Sequence, residues 1–349
     1  MTSGSKGTQQ VIEARYHDRV NVLQALNGGQ ACAPAPFDRA AWYQLLADSG
    51  LRPLVAVASE AGTSAALVLR EHGGWITPLR NWYSFTWRPL APQGAQGDAL
   101  LAAIARHLHR RAHRVTLEPV PGEDGSATRL AAAFRAAGWL VEVSQCDTNH
   151  ILRVNGRSFA AYWESRPGRL RSTLKRKSSK VETRILTAYD PAAWAAYERI
   201  YAASWKPAEA NPAMLRAFAK AEAAAGRLRL GLAFHEGEAI AAQFWTIENG
   251  TAYIHKLAHR ESHKHLSAGT TLTAALFAHV IDTDHAELID FGTGDEPYKA
   301  DWMEETRARY RIDCLAPLAW RAWPLLGKRM LRRIVTQRRA TLAPGVPRG

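Results

Sequence analysis

Cysteine is scarce in this chain of 349 residues: Cys32, Cys146 and Cys314 lie far apart, odd in number and without metal-ligand or redox spacing. That usage fits a reducing compartment, so the expected location is cytoplasmic. No stretch approaches eighteen consecutive apolar residues, and Met1 to Gln10 is polar, which argues against a membrane span and a secretory leader. Charged residues are only 22% against 47% hydrophobic, too little charge for a disordered chain and enough apolar side chain for ordinary cores. The length favours two folded units over one or four.

What the chain has in excess is positive charge, +13 in all, and it is localised. Arg166, Arg169, Arg171, Lys175, Arg176, Lys177 and Lys180 follow one another with no acid between Ser165 and Val181, and eight more basic residues after Ala316 are equally free of acids. Outside these two stretches the chain is close to neutral. Such patches point to local anionic partners: phosphates, nucleic acid or lipid head groups. The terminal stretch, with Trp320, Trp323, Leu325 and Met330 among its cations, suits either contact with an anionic membrane surface or a helix docked on its own domain.

The second half reads most clearly. A short strand over 181–189 ends at Asp190-Pro191, which opens a helix carrying Trp194, Tyr197, Ile200 and Tyr201 at helical spacing. Asn211-Pro212 opens another, stopped by Gly226. Strands follow over 228–234, 239–247 and 252–257, the last two joined by Asn249-Gly250, a tight-turn signal. Then come a helix after Ser267, a strand over 286–291, a helical stretch over 297–309 and a strand over 310–315. The first half gives a looser version of the same order: strands over 11–16, 54–59, 65–69, 75–78, 114–117 and 140–143, with helices over 38–47, 99–108 and 127–137. The fold class is therefore α/β (an α+β mixed sheet), duplicated in tandem. The expected division is 1–154, 155–316 and a basic tail over 317–349, with a junction near Val154 to Ser158.

Several motifs fail on context. Asp290-Phe291-Gly292 matches a kinase triplet, but no glycine-rich phosphate loop or His-Arg-Asp accompanies it. His259, His263 and His265 lack a helical His-Glu-x-x-His frame or nearby cysteine, so no metal is expected.

The residues Phe159, Tyr162, Arg169, Arg171 and Arg176-Lys177, then Gln243, Lys256, Ser267-Ala268-Gly269, and the run Asp290-Phe291-Gly292-x-Gly294-Asp295-x-x-Tyr298-Lys299-x-x-Trp302 carry a resemblance. They resemble the GNAT acyltransferase superfamily, its FemAB-like tandem branch, and most closely the CelD-like acetyltransferase domain associated with cellulose or exopolysaccharide synthesis. The resemblance covers about Ser158 to Trp302. It implies a tandem GNAT-like acyl-CoA N-acyltransferase fold with acetyl-CoA or another acyl-CoA as co-substrate. One departure is Leu266, where the wider superfamily places Gln or Arg before the pyrophosphate loop.

Acyl transfer from a thioester to an amine needs an anion site, an edge to orient the acyl arm, and a route for two protons. A helix start exposes unpaired amide donors, so Ser267, Ala268, Gly269 and Thr270 form a candidate phosphate cradle, with Lys264 adding field from just upstream. The bland alternative is an ordinary helix start. The matching junction of the first half carries Asp98 and has no Lys or Arg between Arg88 and Arg106, which places the active copy in the second half. Alternation on the strand over 252–257 puts Tyr253 and His255 on one face and Ile254 and Lys256 on the other. His255 is a candidate base, or else a packed strand residue. Tyr298 is a candidate acid for the leaving thiolate, and Lys299 a candidate for binding phosphate or carboxylate; packing of Tyr298 and Trp302 at i, i+4 is the alternative. Asp290 could orient a donor or cap the glycine loop. Gln243, Trp245, Lys256 and Arg171 are candidate substrate contacts; for Gln243 and Trp245 core or surface packing is an equal alternative, and the basic segment with Arg171 could equally be a solvated helix face. The expected acceptor is a small-molecule or glycan-precursor amine. Two other readings stay open: aminoacyl transfer from a charged tRNA, and a non-catalytic module that recruits polysaccharide machinery.

Overall fold

A computed structural model describes residues 12–26 and 35–324; Cys32 and the tail beyond Pro324 lie outside the described residues. The first half contributes β1 (Glu13–His17), α1 (Val22–Ala25), α2 (Ala40–Asp48), β2 (Leu54–Glu60), β3 (Thr63–His72), β4 (Trp75–Pro78), α3 (Ala95–Leu108), β5 (Arg114–Pro121), α4 (Ser126–Ala136) and β6 (Leu140–Arg153). The second contributes α5 (Phe159–Glu164), α6 (Gly168–Lys177), β7 (Glu182–Leu186), α7 (Pro191–Ala202), α8 (Pro212–Ala224), β8 (Leu228–His235), β9 (Glu238–Glu248), β10 (Thr251–His259), α9 (Ala268–Ala278), β11 (Leu288–Thr293) and β12 (Glu305–Leu315). No helix among the described residues is long and apolar enough to cross a membrane.

Local chemistry sets the boundaries. The Asp190 side chain accepts from Ala193 N at 2.8 Å to start α7, and Asn211 accepts from Met214 N at 3.0 Å to start α8, each with proline in the first turn. Asn249 (φ 49) and Gly250 (φ 70) make the tight turn between β9 and β10.

All twelve strands form one mixed sheet, in the order β1-β2-β3-β4-β5-β12-β6-β11-β10-β9-β8-β7. The centre of that order is a reciprocal exchange. β6, the last strand of the first half, pairs with β11 of the second, and β12, the last strand of the second, pairs with β5 of the first. The two exchanged strands also pair with each other over eleven positions. The halves share core as well. Trp42 of α2 meets Phe218 of α8 edge to face at 5.0 Å, and Arg39 pairs at 2.9 Å with the buried Glu222.

Two expectations need correction here. The stretch over 297–309 is not helical throughout. A short 3-10 turn covers Pro297–Asp301, and β12 begins at Glu305, five residues before the expected strand. Its sequence reads as polar because its cations are matched across the sheet: Arg307 and Arg309 by Glu123, and Arg311 by Glu118. Likewise the strand expected over 140–143 runs on to Arg153, because it has a partner on both edges.

Beneath the exchange lies a buried polar chain. Asn149, with no exposed surface, donates from Nδ2 to Asp290 Oδ1 (2.7 Å) and accepts at Oδ1 from Arg309 Nη2 (2.6 Å); Arg309 in turn pairs with Glu123 at 2.8 Å. Removing Asn149 leaves the buried Asp290 and Arg309 each a hydrogen bond short, which is more damaging than losing a solvated pair. Asn149→Leu is therefore expected to lower unfolding free energy by roughly 3 kcal/mol in chemical denaturation. Arg153→Ala, which breaks an exposed pair with Glu305, should stay within about 1 kcal/mol.

Candidate functional site

β10 and β11 run parallel but pair at only three positions, Thr251 with Leu288, Ala252 with Ile289 and Tyr253 with Asp290. Beyond them the strands part. β10 stays with β9 through a bulge between Ile254 and Lys256, whereas β11 stays with β6, also through an irregularity, to reach Thr293 opposite Asn149. The wedge between them opens into a cavity of about 650 Å³. The bulge also corrects the alternation expected on β10. An extra residue resets the facing of the side chains, so His255 and Lys256 both line the cavity. Gly292, at φ 70, lies where a Cβ would come within 3.0 Å of the Phe85 ring, so only glycine allows this approach of β11 to the first half.

The start of α9 is held from two sides. Ser267, at φ 52, accepts from Lys177 Nζ of α6 (3.0 Å), which also donates to His265 O. Gln243 donates to Thr273 Oγ1 (2.7 Å) and Gly269 O (3.2 Å) and accepts from Trp245 Nε1 (2.9 Å). Gln243 and Trp245 are thus buried beneath α9, positioning its first turn. Ala268 is buried; Ser267, Gly269 and Thr270 are partly exposed, and a Cβ on Gly269 would meet only His259 Nδ1, at 3.6 Å. The helix start presents an open face to an anion. Lys264 stands exposed nearby, 3.8 Å from Glu261. Arg171, exposed on α6, donates to Arg166 O, and Lys175 and Arg176 of the same helix are also exposed.

The titratable groups differ sharply in their freedom. His255 contacts the Thr246 hydroxyl at 2.7 Å and sits among the rings of Phe37, Phe85, Phe218 and Phe244; burial, with Arg39 and Lys256 nearby, pushes its imidazole down to about 3. It is neutral at physiological pH. Tyr298, 41% exposed, lies against Phe291 at the cavity, and burial raises its phenol to about 12, so it remains protonated. Lys299 is buried and committed: its ammonium pairs with Glu296 at 2.7 Å and donates to the carbonyls of Thr293 and Gly294. Asp290 accepts from Gly292 N at 2.8 Å and from Asn149, closing the glycine turn. Lys256 donates to Glu209 Oε1 at 3.0 Å and lies over the rings of Tyr83 and Tyr201; burial lowers its pKa.

Sequence reasoning missed the contributions from loops. Trp205, Lys206 and Glu209 come from the α7–α8 connection, and Trp82 and Tyr83 from the segment after β4 in the first half. The Tyr83 hydroxyl donates to Glu209 Oε1 (2.8 Å) and accepts from Asn211 N (2.9 Å), clasping the halves across the cavity. Loop residues carry no periodicity; the only signal was the aromatic-basic-proline run Trp205-Lys206-Pro207.

The equivalent wedge of the first half is filled. β4 and β5 pair at two positions, and the chain after β4 then crosses the gap, with Trp87 N donating to Pro119 O (2.9 Å) and Trp87 Nε1 to Val68 O (2.9 Å). The start of α3 is sealed by Arg129, which binds both Asp98 and Pro92 O at 2.6 Å, and a Cβ on Gly97 would fall 1.9 Å from Pro92 O.

Residues 168–300 match the family model of the acetyltransferase (GNAT) domain. No curated protein sequence matches the chain. Among solved structures the chain is similar to FemX (TM-score 0.60, 10% identity, covering 86% of this chain and 96% of that one). It is also similar to the C-terminal domain of a putative lysylphosphatidylglycerol synthetase from Agrobacterium fabrum (0.55, 12%, 83% and 91%) and to L-PGS from Bacillus licheniformis (0.52, 10%, 80% and 89%). At these identities the likeness is one of fold, and it spans both halves. The chain therefore has a tandem GNAT-like α/β fold, whose residues 168–300 are the part that matches the acetyltransferase (GNAT) domain.

Proposed function

We propose that the protein transfers an acyl group, most simply acetyl, from acyl-CoA to an amine by direct attack. The observation that carries this reading is the parting of β10 and β11 after Tyr253 and Asp290, which leaves strand edge free beside the cavity. A thioester arm laid along β10 would present its carbonyl to that edge, where backbone donors can stabilise the developing oxyanion. Its phosphates would meet the start of α9, with the basic face of α6 beyond. Tyr298 supplies the proton taken up by the leaving sulfur. Lys299 and Asp290 fix the loop that carries Tyr298, and His255, neutral and packed, shapes the floor.

The amine would enter between the halves. Trp82 (78% exposed) and Trp205 (50%) stand at that mouth with Tyr298, and such flat faces suit a ring-bearing amine such as an amino sugar, in keeping with the CelD-like resemblance. A second reading, aminoacyl transfer from a charged tRNA, is favoured by the exposed cations of α6 leading to the start of α9.

Thermal shift separates the two. Saturating acetyl-CoA, at 100 times Kd, should stabilise the protein by about 2.7 kcal/mol. No shift with any acyl-CoA, together with salt-sensitive tRNA binding lost on neutralising Arg171, Lys175 and Arg176, would transfer the assignment to the second reading. In steady-state assays Tyr298→Phe should lower kcat roughly 100-fold with donor KM little changed; turnover at the wild-type rate would remove Tyr298 as the acid.

A further inference from the structure

An amine acceptor arrives as an ammonium ion and loses two protons on becoming an amide. One leaves with the sulfur; the other needs an acceptor in the cavity. Of the cavity groups that could take it, most are committed. His255 is engaged with Thr246 and enclosed by aromatic rings, Lys256 with Glu209, and Lys299 with Glu296. Glu209 accepts from both Tyr83 and Lys256 on one oxygen, its other oxygen being buried beside them without a partner, and Asp147 accepts from the amides of Thr148 and Gly294.

Lys206 differs. It lies in the α7–α8 connection and lines the cavity, and among the described residues its ammonium has no carboxylate partner, only the ring of Trp205 at 5.5 Å. The groups that face it come from every neighbouring element: Glu209 on its own loop, Lys256 and His259 on β10, and Glu296 and Lys299 after β11. Two lysines and two carboxylates thus surround it, but each lysine is paired with one of those carboxylates.

Resting on the acyl-transfer reading above, we propose that Lys206 is the catalytic base: its neutral amine takes one proton from the acceptor ammonium before the nitrogen attacks the thioester carbon. The tetrahedral oxyanion then collapses, the C–S bond breaks, and the second N–H proton balances the leaving thiolate through the Tyr298 hydroxyl. Lys206 returns its proton to water. Its setting suits the task. Burial, aided by the charge of Lys256 and opposed by Glu296 and Glu209, lowers the Lys206 amine to about 8. A group poised near the working pH is both adequately neutral and adequately basic. Since the base is the neutral form, kcat/KM should rise tenfold per pH unit below about 8 and level off above it.

Two measurements test this. In the whole protein, lysines methylated with ¹³C-formaldehyde should show one resonance that titrates near pH 8 and is absent from Lys206→Arg. A Lys206 resonance titrating in the ordinary lysine range would overturn the proposal. The second measurement is thiol release from acetyl-CoA with glucosamine, an ammonium acceptor, or hydroxylamine, already unprotonated at neutral pH. At neutral pH, where glucosamine is still largely an ammonium, Lys206→Gln should lose roughly 100-fold with glucosamine but far less with hydroxylamine. Lys206→Arg should not restore the rate, because a guanidinium does not give up its proton. Equal losses with both acceptors, or rescue by arginine, would reduce Lys206 to a structural or charge-bearing role. Wild-type protein that turns over neither acceptor would remove the acyl-transfer reading and this role with it; a titration near pH 8 in that protein would show that the reaction, and not the lysine's chemistry, had been misjudged.

Discussion

The carboxamide of Asn149 joins what the rest of the molecule depends on. It sits where β6 has crossed into the second half, donating to Asp290 on β11 and accepting from Arg309 on β12, and through Arg309 it reaches Glu123 in the first half. With β11 held on that edge, and its glycine turn closed by Asp290, its other edge is free to leave β10 after three paired residues. The wedge is thus a consequence of strand exchange: each half lends its last strand to the other, and the sheet closes without β10 and β11 being joined along their length. A buried Arg309 between Glu123 and Asn149 is tolerable because both terminal nitrogens of its guanidinium meet acceptors, Nε alone having none.

The duplication has produced unequal copies. In the first half the chain after β4 lies in its own gap, and Arg129 covers the start of α3. That same segment carries Trp82 and Tyr83 onward to the mouth of the second half's cavity. A segment that closes one slot therefore furnishes a wall of the other. The electrostatics follow the same division. Lys175 and Arg176 on α6 stand exposed, while in the cavity Lys256 pairs with Glu209, Lys299 with Glu296, and Arg80 and Arg311 with Glu118. Lys206 is left as the cavity lysine without a carboxylate partner among the described residues.

Much of this was legible in the sequence, for definite reasons. Capping residues such as Asp190 and Asn211, and the Asn249-Gly250 turn, act locally, so the helices and hairpins of the second half stand where the sequence puts them. The helix start at Ser267 and its distance from the first half's acidic counterpart were equally readable. What was hidden depends on partners remote in sequence. The first five residues of β12 looked helical because Arg307 and Arg309 find their carboxylate nearly two hundred residues away. For Gln243 and Trp245 the sequence left pocket lining and packing equally open, and α9 covers them. The bulge that brings Lys256 to the same cavity as His255 has no signature in a run of six strand-forming residues, and the α7–α8 loop is placed only by the clasp between Tyr83 and Glu209.

In the proposed reaction the edge of β10 beyond Tyr253 and the first turn of α9 receive the acyl carrier. Hydrogen–deuterium exchange with and without acetyl-CoA reads those amides directly. Slowed exchange is expected to be confined to residues 254–258 and 267–271, with the filled wedge of the first half unchanged. Protection of residues 75–98 instead, or binding that leaves residues 254–258 exchanging as before, would contradict it.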